Sequence, residues 1–199
     1  MCHRFNLAYK GEVDHIQAGD ETYNKVRRKK HFVFFSISSK SRKITSYHTD
    51  GTRDTLPAVI AMNEAIHTAS PEQEIVLITD GNLLLFNRIN FINQSHEPNL
   101  THKKVVGMKN LDKESEEFRP FKDLIERLNH TYKFHTLVIG VFNSVNRAIA
   151  LTTLFVTYYN LLRPHISLNY SVSFPLEPLK GVGTLQSKWV KIIKLATLA

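Results

Sequence analysis

The chain has 199 residues, 42% of them hydrophobic and 22% charged, which is the ordinary composition of one globular domain with its own core. Lys and Arg number 26 against 18 Asp and Glu, and the resulting net charge of +8 favours a polyanionic partner such as nucleic acid. The single cysteine, Cys2, excludes an intrachain disulfide and a cysteine-based zinc site. Without a long apolar run or a signal-peptide pattern, we expect a cytoplasmic protein with no membrane partner.

The first quarter of the chain is predicted to form an antiparallel meander. Residues 1–12 show no periodicity and are predicted to be a linker or a remnant of truncation. Three short segments rich in strand-forming residues follow, at 17–26, 31–38 and 43–49. Tight turns separate them, and the first turn is the basic run Arg27, Arg28, Lys29 and Lys30.

The hydrophobic period then changes to that of a helix. Asp54 and Thr55 can cap a helix that ends near residue 69. Residues 74–79 are predicted to be a short buried strand of the kind found in parallel pairing. A short helix is expected over 83–89, and one more strand over 103–106.

The second half of the chain is predicted to be mainly helical. After a polar and mobile segment at 107–115, the apolar spacing predicts long helices over 116–135 and 143–162, and Pro164 ends the second. A short basic helix is expected over 187–197, within a C-terminal extension that begins at residue 173. This order predicts an α/β fold, in which a mixed sheet (an antiparallel meander plus parallel strands) carries helices on both faces.

Two acidic positions accompany the predicted strands. Asp20 and Glu21 stand side by side in the first strand, where successive side chains point to opposite faces, so only one of them can serve a given site. A carboxylate there is either an exposed edge acid or a ligand for a divalent cation. Asp80 follows the buried strand, where it either starts a turn with Gly81 or binds a ligand at the carboxyl end of the strand. Asp14 competes with Asp20, but its neighbours are not strand-like.

The third acid, Glu126, lies on a predicted helix and shares a face with Asn129, His130 and Lys133, opposite the apolar stripe. Alone, this face is typical of a solvated helix surface. Together, two carboxylates on neighbouring strands and one on a packing helix form a site of hard oxygen ligands, which suits Mg²⁺. A pair of such ions about 3.5–4 Å apart can activate a nucleophile and neutralise a leaving 3′ oxygen, so a phosphodiester substrate is predicted.

Four stretches in order resemble the catalytic domain of bacterial insertion-sequence DDE transposases, the superfamily that includes retroviral integrases and has a ribonuclease-H-like fold. They are Gly-Asp-Glu-Thr-Tyr at 19–23, Ile-Thr-Asp-Gly-Asn at 78–82, Ile-Glu-Arg-Leu-Asn at 125–129 with Tyr-Lys at 132–133, and Tyr-Asn-Leu-Leu-Arg-Pro-His-Ile-Ser-Leu-Asn-Tyr at 159–170. The resemblance covers about residues 13–172, and it identifies that range as a DDE catalytic core.

The resemblance implies that Asp20, Asp80 and Glu126 bind two Mg²⁺ ions, with Mn²⁺ as a substitute. It implies cleavage of DNA by water, followed by attack of the freed 3′-OH on target DNA. The implied partners are transposon ends and target DNA in a nucleoid-associated homodimer or higher oligomer. The residues expected to contact DNA are Lys133, Arg127, Asn129, Arg27, Arg28, Lys29 and Lys30. The residues expected to support the fold rather than to bind phosphate are Arg163, Pro164 and His165.

Only 19 residues precede Asp20, too few for the helix-turn-helix region that such transposases usually carry, so we expect an N-terminally truncated chain. Two alternatives to an active transposase stay open. One is an inactive remnant that binds DNA or full-length transposase without catalysis. The other is a stand-alone ribonuclease-H-type nuclease, although the Arg-Pro-His motif and the spacing of Lys133 from Glu126 favour a transposase origin.

Overall fold

The computed structural model describes residues 5–6, 14–66, 73–79, 100–105 and 113–198. Their main feature is a five-stranded sheet in the order β3-β2-β1-β4-β5. The strands are β1 (Ile16–Val26), β2 (Lys29–Ser38), β3 (Ile44–Asp50), β4 (Ile75–Thr79) and β5 (Leu100–Lys104). The first three pair antiparallel, whereas β4 runs parallel to β1 and β5 runs parallel to β4. The predicted combination of a meander with parallel strands is confirmed.

Helices cover both faces of this sheet. They are α1 (Thr55–Ile66), α2 (Lys113–Leu137) and α3 (Val145–Leu161), and a further helix, α4 (Leu185–Leu198), follows in the chain. The side chains of β2 alternate between two cores, because Phe35 packs with Tyr132 of α2 and Phe155 of α3, whereas Phe34 packs with Met62 of α1. The predicted α/β architecture with helices on both faces is therefore confirmed.

The turn between β1 and β2 is shorter than expected. Val26 pairs with Lys29, so only Arg27 and Arg28 connect the strands, with φ angles of 48° and 67°. Two-residue turns with positive φ match the twist of the flanking strands. Lys29 and Lys30 belong to β2, and the prediction that they lie in the turn is wrong.

Two other boundaries differ from the predicted ones. Strand β5 begins at Leu100 rather than at residue 103, because the strand enters the core through Leu100 and its other side chains are polar. Helix α2 begins at Lys113, inside the segment that was expected to be mobile. The helix expected over 83–89 and the second acid, Asp80, lie outside the described residues.

The C-terminal segment packs on the end of α3. Ile192 and Ala196 of α4 are buried against Leu161 and Leu162, and the fully buried Phe5 joins the same cluster. The expected division of the chain into a linker, a core and an extension, at residues 12 and 172, stays a prediction. The contacts of Phe5 and of α4 with the end of α3 cross both of these boundaries. None of the helices described combines the length and apolar character needed to span a bilayer.

Candidate active site

Asp20 and Glu21 contact different elements, as the geometry of a strand predicts. Asp20 faces α2, where its Oδ2 accepts a hydrogen bond of 3.0 Å from Nδ2 of Asn129. Glu21 instead forms an ion pair with Arg53, just before α1. Asp20 is therefore the acid of this pair that β1 directs toward α2.

The carboxylates of Asp20 and Glu126 converge on one ammonium group. Lys122 Nζ lies 3.5 Å from Asp20 Oδ2 and 3.8 Å from Glu126 Oε1. Glu126 and Lys122 are one helical turn apart on α2, whereas Asp20 comes from the sheet. Asp20 and Lys122 are largely buried, with side chains 14% and 12% exposed, and Glu126 is 48% exposed. One carboxylate oxygen from β1 and one from α2 thus lie within 4 Å of the same ammonium group.

Asp20 and Glu126 line a cleft of about 420 Å³, which we call the acid cleft and define by Asp20, Glu126, Asn129, His130 and Lys133. The buried stripe of α2 includes Ile125, Leu128 and Tyr132 and faces the sheet. The prediction that Glu126 shares a helix face with Asn129, His130 and Lys133, away from the core stripe, is confirmed.

Two lysines stack on one aromatic ring of β1. Nζ of Lys133 lies 3.7 Å from the centroid of the Tyr23 ring, and Nζ of Lys30 lies 4.7 Å from it. Ammonium groups are attracted to the negative face of such a ring. Since Lys133 also lines the acid cleft, these contacts place positive charge beside the carboxylates.

The hairpin tip is tied to the loop between α2 and α3. The backbone N–H of Arg27 donates to the carbonyl of Phe142 at 2.9 Å, and its Nε donates to the carbonyl of Asn143 at 2.8 Å. The guanidinium of Arg27 therefore already has a partner within the protein. Its expected contact with DNA, like those of Arg28 and Lys29, stays a prediction.

Asn129 has a role that the sequence did not indicate. Besides Asp20, its Nδ2 approaches the carbonyl oxygen of Glu21 at 3.4 Å, so the amide links α2 to β1 at the first acid. The only available signal was its position three residues after Glu126 on one helix face. The expected DNA contact of Asn129 stays a prediction beside this observed link.

The strand that leads to Asp80 lies next to the strand of Asp20. Ala18 pairs with Ile78, and a Cβ atom added to Gly19 would lie 4.0 Å from the side chain of Thr79, where β4 ends. Asp80 itself is outside the described residues. Within the described ranges, no three His, Cys, Asp or Glu side chains form a group that could hold a metal ion.

Asp14, the competing first acid, has a structural role. Its carboxylate accepts hydrogen bonds from the Ser38 hydroxyl, from the backbone N–H of Lys40 at 2.8 Å and from the Gln17 amide at 2.8 Å. These bonds close the turn after β2. Asp14 does not line the acid cleft.

The Arg-Pro-His motif follows α3, and its side chains contact Tyr159. His165 is buried, and its Nε2 donates to the Tyr159 carbonyl at 3.2 Å. The guanidinium of Arg163 lies 5.0 Å from the centroid of the Tyr159 ring. Pro164 begins a two-residue strand, β6 (Pro164–His165), that pairs with β7 (Ser171–Val172). Burial is the main cause that lowers the pKa of His165.

Asn160, in the same motif, supports the sheet. It is buried, its Oδ1 accepts from the Ile44 N–H at 2.8 Å, and its Nδ2 donates to the Ile44 carbonyl at 2.9 Å. The amide thus satisfies both backbone groups of the first residue of β3, as a paired strand would.

The sheet order, the helices on both faces and the pair of acids between β1 and α2 define a ribonuclease-H-like α/β domain. The integrase core domain family model matches residues 120–172, which include α3, Glu126, Lys133 and the Arg-Pro-His motif. A search of curated proteins found no match.

Three retroviral structures are among the solved structures with similar folds. The simian T-cell lymphotropic virus intasome in complex with PP2A regulatory subunit B56 gamma matches with a TM-score of 0.50 and 15% identity, over 77% of this chain and 51% of that chain. The trimeric form of the HTLV-2 integrase catalytic core domain in complex with magnesium matches with a TM-score of 0.49 and 15% identity, over 80% and 94%. Its dimeric form gives 0.49 and 15%, over 82% and 94%.

At 15% identity the intasome match shows a shared fold and nothing more. The family match supports the superfamily that the sequence motifs indicate. The bacterial insertion-sequence origin and the truncation stay predictions.

Proposed function

We propose that the chain is the catalytic domain of a DNA transposase or integrase, which cleaves and joins DNA strands. The observation that carries this proposal is the convergence of Asp20 and Glu126, from β1 and α2, on the ammonium group of Lys122, while both carboxylates line the acid cleft. The integrase core domain match over 120–172 supports it, because that range includes Glu126.

The residues present fit a hard divalent cation. Carboxylate oxygens of Asp20 and Glu126 already lie within 4 Å of one positive charge, and such oxygens are the ligands that Mg²⁺ prefers. We propose that Asp20, Glu126 and Asp80 would hold Mg²⁺, with Mn²⁺ as a substitute. Such an ion, when bound, supplies Lewis-acid stabilisation of charge on phosphoryl oxygens and activates an oxygen nucleophile.

The other residues of the site would bind and position DNA. We propose that Lys133, which lines the acid cleft, and Lys30, which stacks on the same Tyr23 ring, contact the phosphate backbone of the bound DNA. Asn129 holds the Asp20 carboxylate toward α2. In the reaction, a water oxygen forms a bond to phosphorus as the bond to the 3′ oxygen breaks. The freed 3′-OH then attacks a phosphorus of target DNA in the same way, within a homodimer or larger assembly.

One observation favours a second candidate, a form that binds DNA without catalysis. Lys122 places its ammonium between the two carboxylates, where it competes with a metal ion for the same oxygens. A chain in which Lys122 keeps this position would retain the fold and the basic surface but would not cleave DNA.

The test is a nicking and strand-transfer assay on labelled DNA with Mg²⁺ or Mn²⁺. Wild type is compared with Asp20→Asn, Asp80→Asn and Glu126→Gln. Glu117→Gln is the matched control, because Glu117 is an exposed acid of the same helix. Circular dichroism establishes that each variant is folded.

We expect activity in wild type and in the control, and its loss in all three acid variants. An inactive wild type that binds DNA would favour the second candidate. Activity that survives Glu126→Gln would show that another residue supplies the third acid.

A further inference from the structure

A second cleft lies on a different side of α2 from the acid cleft. It has a volume of about 450 Å³, and four guanidinium groups line it, from Arg42, Arg119, Arg127 and Arg163. We call it the arginine cleft. Arg42 belongs to the turn between β2 and β3, and Arg163 follows α3, so separate parts of the chain bring the four together.

The spacing along α2 separates the two clefts. Glu126 and Lys133 are seven residues apart and line the acid cleft, whereas Arg119 and Arg127 are eight apart and line the other. Because a helix turns about 100° per residue, the adjacent residues Glu126 and Arg127 point to different sides. Arg127 therefore lines the second cleft and not the acid cleft, and its expected contact with DNA stays a prediction.

The arginines of this cleft have little compensating charge. Two acids, Glu116 and Asp123, also line it, but within the described ranges no ion pair shorter than 4 Å joins either of them to an arginine. Arg42, Arg119 and Arg163 are only partly exposed to solvent. Partly buried cations without acidic partners favour the binding of an anion.

The histidine of this cleft adds no charge near neutral pH. Burial lowers the pKa of His165, and the nearby guanidiniums of Arg163 and Arg42 lower it further, although the Tyr159 carbonyl opposes this shift. The positive potential of the cleft therefore comes from arginine, whose planar donors pair with two oxygens of a phosphate at once.

We infer that the arginine cleft binds the phosphodiester backbone of the same duplex DNA whose scissile phosphate enters the acid cleft. This inference rests on the proposed function. A helix is about 10 Å across and the major groove of B-DNA is about 12 Å wide, so phosphates on the two sides of one groove can reach the two sides of α2. Contacts of this kind fix the position of DNA without reading its sequence.

The test measures binding of the full chain to a short fluorescent duplex without divalent metal, so that catalysis plays no part. Arg119→Gln/Arg127→Gln removes two charges from α2, one at a partly exposed and one at an exposed position, and glutamine is well tolerated in helices. Lys191→Gln/Lys194→Gln is the control of equal charge, because both lysines are exposed on α4. Affinity is followed as anisotropy between about 50 and 200 mM salt.

We expect the slope of log affinity against log salt to be less negative by about two in the arginine variant, since each lost phosphate contact changes that slope by about 0.9. The control should keep the wild-type slope. Asp123→Asn should bind the duplex more tightly than wild type, whereas Glu117→Gln, outside the cleft, should bind it equally. Inorganic phosphate at the same ionic strength should compete only weakly if the site needs a continuous backbone.

A second measurement does not depend on variants. Phenylglyoxal modifies accessible arginines, and mass spectrometry then reports which of them the duplex protects. We expect protection of Arg119 and Arg127 and none of the exposed Arg147 on α3. Equal slopes in the two double variants together with unprotected arginines would overturn the inference. The nicking assay of the acid variants would be unaffected by that result, so the two proposals can fail separately.

Discussion

The side-chain amide of Asn129 donates a hydrogen bond of 3.0 Å to Oδ2 of Asp20, and this bond joins the long helix α2 to the central strand β1 at the acid cleft. The other carboxylate oxygen, Oδ1, accepts from the backbone N–H of Glu21 at 2.9 Å. Both oxygens of Asp20 are therefore held before any substrate arrives. Under the proposed function, Asn129 would act through Asp20 as a positioning residue.

We predict that Asn129→Ala lowers metal affinity or activity by about 10- to 100-fold, the usual effect of removing a group that orients a metal ligand. Activity is measured against Mn²⁺ concentration, because a purely structural role would not move the metal dependence. Asn146→Ala, at an exposed position of α3, is the control and should keep the wild-type titration. An unchanged Mn²⁺ dependence in Asn129→Ala would show that Asp20 needs no such support.

Replacing Lys122 is predicted to strengthen metal binding. Its ammonium lies 3.5 Å from Asp20 and 3.8 Å from Glu126, so a metal ion at these carboxylates must displace it or lie beside it. A unit charge about 4 Å away contributes about 1 kcal/mol even at the dielectric constant of water. Lys122→Met, which keeps the apolar stem, should lower the Mn²⁺ dissociation constant about fivefold or more in calorimetric titration.

Lys191→Met on the exposed face of α4 is the control for this change. If Lys122→Met binds Mn²⁺ no better than wild type, the ammonium group does not compete with the metal. If the variant gains affinity but loses DNA binding, Lys122 also contacts the substrate.

The fold could be predicted where the hydrophobic residues of a segment follow the pattern of a strand or of a helix. The apolar residues of β2 are nearly continuous, as expected for a strand buried on both faces. The apolar stripe of Ile125, Leu128 and Tyr132 on α2 is typical of a helix buried on one side. These two patterns indicated the sheet and the helix that packs on it. Strand β5 was misplaced because a single buried residue, Leu100, leaves no period to detect.

The candidate site was only partly predictable, for a different reason. The period of a strand separates Asp20 from Glu21 without any tertiary information. The contacts of Asp20 with Lys122 and Asn129 depend on how α2 crosses β1, and local spacing does not encode that angle. For the same reason, the joining of Arg42 and Arg163 in one cleft could not be foreseen.

Asn160→Ala is predicted to destabilise the fold by about 2–4 kcal/mol, because it leaves the buried N–H and carbonyl of Ile44 without partners. Urea unfolding followed by the fluorescence of Trp189, the single tryptophan, measures the change. Asn160→Asp keeps the acceptor for the Ile44 N–H but loses the donor, so a loss of stability is expected there too. Stability within about 0.5 kcal/mol of wild type in Asn160→Ala would contradict the role assigned to this amide.

Acid should destabilise the protein through three of its histidines. Burial lowers the pKa of His165, His31 and His102 below the ordinary value of 6.5, although Asp50 opposes the shift at His31. The unfolded chain therefore binds more protons than the folded one once the pH falls below about 6.5. The free energy of unfolding should be constant above that pH, fall below it, and level off when the pH passes the folded pKa values.

Each such histidine contributes a slope of up to about 1.4 kcal/mol per pH unit within this window. Urea unfolding at a series of pH values from about 7.5 downward measures the slope. His165→Gln should reduce this slope by the contribution of one proton, up to about 1.4 kcal/mol per pH unit. The reason is that glutamine does not titrate, so the unfolded state gains no charge at that position. Asn146→Gln, at an exposed position of α3, changes no titratable group and should leave the slope unchanged. If His165→Gln also leaves the slope unchanged, His165 takes up its proton as readily in the folded chain as in the unfolded one.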